Sequence, residues 1–332
     1  MLHRALRLTL VVLLGLVLGV AVYVTGLTIT NPAPREALGW TLLATLPAAR
    51  GETAAAVTAD RLYVVGGMTG LSGEASDEVS VYNPSSDAWE SAPALPSPRH
   101  HAAAAGLDGA VYVSGGGASA GDWTPQPTLW GLKADASGWE VLAPMPEGRL
   151  GHRMLAIDGN LYVVGGIGET GRVLVYTLAA GTWSMGAEMP SPRDHLAAVV
   201  VDDEIWAIGG RSDGQIHRRV DIYDPSSDAW REGPPLPAPT SGAAEGVLNG
   251  VILISGGEDA GTGGGVIDRH WQLDTLLGSA AAWEPLSAPP LAVHGAHGAT
   301  LADRFLIVGG ALRPGAFSRF SWTDATQAYE VP

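Results

Sequence analysis

Apolar residues along most of this chain fall in short runs bounded by Gly, Pro, Ser and Asp, which predicts many short strands and tight turns in place of long amphipathic helices. Leu62-Tyr-Val-Val, Leu161-Tyr-Val-Val, Ile205-Trp-Ala-Ile and Ile252-Leu-Ile-Ser each run straight into a Gly-Gly pair and read as buried inner strands. The alternation Val79-Ser-Val-Tyr marks a third strand. Tyr-Asn-Pro-Ser-Ser-Asp-Ala-Trp at 82 to 89 and Tyr-Asp-Pro-Ser-Ser-Asp-Ala-Trp at 223 to 230 place Pro, Ser and Asp where a hairpin needs them, so a fourth strand begins at each Trp.

The pattern repeats. Gly-Gly pairs stand at 66/67, 115/116, 165/166, 209/210, 256/257 and 309/310, spaced by 49, 50, 44, 47 and 53 residues. Sixteen residues before each first Gly lies an anchor position, occupied by Arg50, Arg99, Arg149, Arg193, Thr240 and Val293. Ten residues before each anchor stands Trp40, Trp89, Trp139, Trp183, Trp230 or Trp283, and three before it Pro47, Pro96, Pro146, Pro190, Pro237 or Pro290. A period near 50 residues predicts a ring of four-stranded blades. Trp40 precedes the first Gly-Gly pair and no repeat-type Trp follows Tyr329. The ends are therefore expected to share a blade, with the strand around Trp40 outermost in the last one, a closure that hides both edges.

These positions resemble the Kelch repeat, whose blades carry Gly-Gly after the second strand and a spaced Tyr and Trp between the third and fourth. The likeness covers about 40 to 332 and implies an all-β, six-bladed Kelch-type β-propeller over 40–332. Fold of this kind leaves function open.

Composition agrees: 45 Gly, 23 Pro and 11 Trp against 16% charged residues. A formal net charge of −15 without a Lys/Arg run argues against nucleic acid as a partner. The absence of Cys excludes disulfides and thiolate metal sites. From Leu8 to Ile29 no residue is charged, and His3, Arg4 and Arg7 precede the stretch. That pattern predicts a transmembrane signal anchor over 1–30, with 8–29 in the membrane and the propeller in the periplasm or at the cell surface. The competing reading is a cleaved signal peptide, with a secreted product. Asn31 to Gly39, with Pro32 and Pro34, reads as a stiff linker. The Ala-, Gly- and Pro-rich style suggests a bacterial source.

Candidate chemistry concentrates just after the anchors. His100, His101, His152, His195, His294 and His297 all fall within four residues of one, so the ring symmetry is expected to gather imidazoles at one mouth of the channel. No compact metal motif such as H-E-x-x-H accompanies them, and neither a metal nor a cofactor is expected. The anchor arginines read as packing and hydrogen-bonding groups, with carboxylate capture at the mouth as the alternative. Arg211, His217, Arg218 and Arg219 form one locally basic loop. In Kelch adaptor proteins the ligand face comprises the residues after the anchor and the loops after Gly-Gly. Carried over by position, this implies Glu52, His100, His101, Asp194, His195 and His294, with Arg211 and Glu258, as ligand-binding residues. The resulting expectation is a non-enzymatic extracytoplasmic module recognising a protein, peptide or glycan. The alternative is a carbohydrate-active propeller enzyme similar to the bacterial sialic-acid mutarotase, with Glu258 or Glu245 beside Arg211 or Arg193. Galactose oxidase-like copper chemistry needs a Cys-linked Tyr, which this chain lacks.

Overall fold

The computed structural model describes residues 31–259 and 264–330. The expected anchor over 1–30 lies outside them; among the described residues no helix is long and apolar enough to cross a membrane. The described residues form six four-stranded antiparallel sheets. Blade 1 comprises Ala54–Thr58, Arg61–Val65, Val79–Asn83 and Ala88–Ser91, from the axis outward. Blades 2 to 5 repeat this order and begin with Ala103–Leu107, Arg153–Ile157, Ala197–Val201 and Ala244–Leu248. Blade 6 takes His297–Leu301, Arg304–Val308 and Thr326–Tyr329 from the C-terminal end and Trp40–Leu43 from the N-terminal end, with Trp40 opposite Tyr329.

Six clusters of buried apolar residues hold these sheets together, and each lies between two consecutive blades. Leu62 and Val64 face blade 6, while their neighbour Val65 faces blade 2. A sheet sandwiched on both sides requires uninterrupted apolar strands, which is why the inner strands read as continuous runs. Each repeat Trp lies at one of these junctions. Its indole N–H donates to the carbonyl four residues after the preceding Trp, as from Trp89 to Ala44 (2.8 Å), Trp139 to Pro93 (2.9 Å) and, across the closure, Trp40 to Ser287 (2.8 Å).

The Gly-Gly pairs lock neighbouring blades. The second Gly donates its N–H to the anchor carbonyl of the next blade, from Gly67 to Arg99 (2.8 Å) round to Gly310 and Arg50 (2.9 Å). Both glycines have positive φ, and a Cβ on Gly66 would lie 2.5 Å from the Arg99 carbonyl oxygen, so no other residue fits. Part of the expected linker is docked: Arg35 pairs with Asp268 and donates to the Pro289 carbonyl (3.0 Å).

Candidate functional site

Nearest the axis, a closed circuit of hydrogen bonds links the blades. The residue two after each anchor donates its N–H to the carbonyl of its counterpart in the preceding blade: His101 to Glu52, Gly151 to His101, His195 to Gly151, Gly242 to His195, Gly295 to Gly242 and Glu52 to Gly295, at 2.6 to 3.0 Å. All six residues have φ between 51 and 66°. Glycine takes that left-handed conformation without cost, whereas Glu and His do so against steric preference. Blades 1, 2 and 4 nevertheless carry Glu52, His101 and His195 there. Two of the three glycines leave room for them: a Cβ on Gly151 would lie 2.9 Å from His195 Nδ1, and one on Gly295 would collide with the Glu52 carboxylate.

Above the ring opens a cleft of about 310 Å³ lined by Glu52, His101, His195, Arg211, Glu258 and His294, and by Trp123, Arg319 and Trp322. Below it lies a cavity of only about 20 Å³. Six of the eight residues expected from the sequence therefore line one cleft. The other two lie directly behind it. Asp194 accepts from His195 Nδ1 and from Arg211 Nε (2.9 Å), while His100 Nδ1 meets His101 Nδ1 at 2.7 Å. Residues one after the anchor and one after Gly-Gly are bridged in every blade, including Asp194 with Arg211 and Ser241 with Glu258, so both sets of loops reach the same mouth.

The charges are paired in place. Arg211 Nη1 donates to Glu258 Oε1 (3.2 Å), Gly315 N–H donates to Glu258 Oε2 (3.1 Å), and His294 Nε2 lies 2.8 Å from the Arg313 carbonyl. Burial by itself raises the Glu52 carboxyl; His101, His195, His294 and Arg211 outweigh it and hold the group down to about 2. Burial pushes the His101 imidazole down to about 3, with the Glu52 carboxylate opposing the shift. Asp194 is likewise raised by burial but held below the usual carboxylate range by His195 and Arg211.

The anchor arginines pack and hydrogen-bond within their blades, as read from the sequence, and the alternative of carboxylate capture at the mouth falls: Arg50 is fully buried and bonds Ser80 Oγ (2.6 Å), and Arg193 pairs with buried Asp221 (2.7 Å) and the Ala207 carbonyl (2.9 Å). An inner-strand carbonyl that meets the guanidinium is satisfied without water. Glu245 is buried against Arg153, so neither Glu245 nor Arg193 can act on a ligand in the cleft. His152 bonds Ser114 Oγ (2.8 Å) and belongs to the core. The basic loop is largely tied down, with Arg219 held by Asp221 (2.8 Å) and Glu232 (3.0 Å) and Arg218 donating to the Leu236 carbonyl (2.7 Å). Sequence reasoning missed Trp123, Trp322 and Arg319. The two Trp lie off the repeat position, in loops after Gly-Gly, and that displacement was the available signal.

A closed ring of six blades with one open, polar and aromatic-walled cleft over its axis defines a repeat propeller that presents a binding face. The chain belongs to the Kelch-repeat family: the KLHDC2/KLHL20/DRC7 Kelch-repeats domain matches residues 143–310 and the Kelch motif matches residues 49–96. Kelch-like protein terF of Aspergillus terreus is 26% identical over 306 residues, covering 85% of this chain and 65% of that protein. Kelch-like protein 34 of Homo sapiens is 32% identical over 175 residues, 52% of this chain and 27% of that protein. Alpha-scruin of Limulus polyphemus is 31% identical over 143 residues, 39% and 15% of the two chains. The chain thus spans less than two thirds of the length of these relatives. Among solved structures, that of YjhT superposes with a TM-score of 0.73 at 18% identity over 87% of this chain and 97% of that one, a likeness of fold.

Proposed function

We propose that the chain is a non-enzymatic binding module working outside the cytoplasm, whose cleft over the axial ring takes a peptide or glycan presented by its partner. One observation carries the reading: residues from five of the six blades converge on a single open cleft in which ion pairs are already formed and exposed Trp123 lies against His101, ring centroids 4.9 Å apart. Pre-paired polar groups beside an aromatic wall are preorganised, so a ligand with one apolar face and one polar edge binds without first ordering the site. The uncharged stretch 8–29 behind Arg4 and Arg7 supports an extracytoplasmic location. The test is a thermal-shift screen of the full chain against acidic and neutral glycans and acidic peptides. Arg211→Ala and His195→Ala are expected to abolish the shift at unchanged melting temperature. Ligand binding retained in both variants sinks the proposal.

A second reading is favoured by His195, which lines the cleft together with Glu52 and is paired with Asp194 directly behind it. A carboxylate-oriented imidazole can take the proton of an anomeric hydroxyl while a second acid delivers one to the ring oxygen, opening and reclosing a sugar as a mutarotase does. Anomer exchange followed by NMR decides it: acceleration lost in His195→Ala supports catalysis, and rates equal to buffer exclude it.

A further inference from the structure

The axial ring contains more than a binding floor requires. Glu52, His101 and His195 each offer one ligand atom, and the three atoms lie within 4.8 Å of one another. Their proton assignments leave the ring nitrogens facing inward as acceptors. His100 Nε2 lies 3.1 Å from the Ser119 carbonyl and must donate to it. His100 Nδ1 is therefore an acceptor and takes the proton of His101 Nδ1 at 2.7 Å. That leaves His101 Nε2 as a lone pair, 3.2 Å from the Glu52 carboxylate. Two acceptors facing each other at that distance repel unless a proton or a metal cation lies between them, and the cluster of three ligand atoms suits the metal. His195 follows the same logic: Asp194 accepts its Nδ1–H hydrogen bond, which leaves Nε2 as the acceptor that meets Arg211.

We propose that Glu52, His101 and His195 form a divalent transition-metal site, best suited to Zn2+, with an open coordination position facing the cleft. Two His and one Glu with a vacant fourth position is a set that Zn2+ accepts. Asp194 behind His195 and His100 behind His101 are the outer groups that fix the tautomer and aim of metal-binding imidazoles. The backbone is independent support. Among six equivalent positions the three ligands are the non-glycine residues, each held at φ of 51 to 54° where the other blades use Gly151, Gly242 and Gly295. Strain of this kind persists where a side chain is needed at that point. Arg211 Nη2 lies 3.2 Å from His195 Nε2 and occupies the lone pair in the absence of metal. With its side chain 30% exposed, Arg211 swings outward into the cleft when a cation takes its place.

The full chain, stripped with a chelator, is titrated with Zn2+ by calorimetry, and Co2+ is followed by its visible absorption. One ion per chain is expected, with His101→Gly and His195→Gly each weakening binding by at least about 100-fold and Asp194→Asn by about 10- to 100-fold. Arg211→Ala removes a neighbouring cation and tightens metal binding, although it abolishes the cleft ligand. The triple variant Glu52→Gly, His101→Gly, His195→Gly binds no metal, and its melting temperature is equal to or above that of the parent because the left-handed strain is relieved. If that variant fails to fold, His101→Asn, which tolerates the same backbone conformation, carries the test. The control His217→Ala binds as the parent does. Absence of saturable Zn2+ binding up to about 1 mM, a Kd far weaker than structural sites show, overturns the proposal, as does undiminished binding in the triple variant. Failure here leaves the cleft ligand untouched, and a chain that binds metal but none of the screened ligands removes only the module reading.

Discussion

At the scale of the residue, chemistry here is decided by where a charge or ring is held, not by its type. His270 and His101 are both buried imidazoles, yet one lies in the axial ring and the other is enclosed by aromatics at the blade 5–6 junction. His270 stacks on Phe305 (5.7 Å) and meets Trp40 (5.2 Å) and Tyr329 (4.9 Å) edge-on. Burial lowers its pKa from 6.5 to about 4, so the folded chain keeps it neutral where the unfolded chain binds a proton. Its contribution is complete above pH 6.5 and is lost as pH falls toward 4, by up to about 3 kcal/mol. Replacement by a ring that does not titrate removes the dependence. His270→Phe is expected to flatten the decline of stability between pH 7 and 4.5, measured by urea unfolding; an unchanged slope would place the proton uptake elsewhere.

At the scale of the element, the Tyr-to-Trp turn does more than reverse the chain. In blade 1 Asp87 Oδ1 accepts from Tyr82 O–H (2.8 Å) and from the Ala44 N–H of the neighbouring blade (2.9 Å). Blade 4 repeats it, with Asp228 accepting from Tyr223 (2.7 Å) and Ala187 (2.6 Å). The eight-residue motif is thus a hairpin and an inter-blade clasp together. Asp228→Ala is expected to cost about 1 to 2 kcal/mol, with Asp228→Asn milder because it keeps an acceptor. Chemical denaturation measures both, and equal stability of Asp228→Ala and the parent would show the clasp to be inert. The turn was readable as a turn from Pro, Ser and Asp; the clasp was not, because Ala44 and Ala187 carry no side-chain signal.

At the scale of the whole molecule, closure depends on four residues from the far end of the chain. Trp40–Leu43 pairs along Thr326–Tyr329, and Trp40 packs on Tyr329 (5.2 Å) as Trp89 packs on Tyr82 (5.1 Å). Blade 6 without that strand leaves an open edge and an exposed apolar face toward blade 5. Trp40→Ala is expected to destabilise by about 3 to 5 kcal/mol. Deletion of Thr326–Tyr329 should abolish the single cooperative melt, and its persistence in a differential scan would contradict velcro-like closure.

Six repeats and their closure were legible in the sequence because a fixed period converts chain position into angular position around an axis, so equal offsets from each Gly-Gly must meet. For the same reason all eight candidate residues fall at or directly behind one mouth. Direction was not legible. Whether Arg193 points to the mouth or into its blade depends on carbonyls of Ala207 and Gly209 that composition cannot reveal. That His100 supports His101, and that loop residues Trp123 and Trp322 wall the cleft, depends on loops too irregular to follow the period. Repetition determined the ring; the sign of φ at one position per blade, and the packing of unlike loops above it, decided the site.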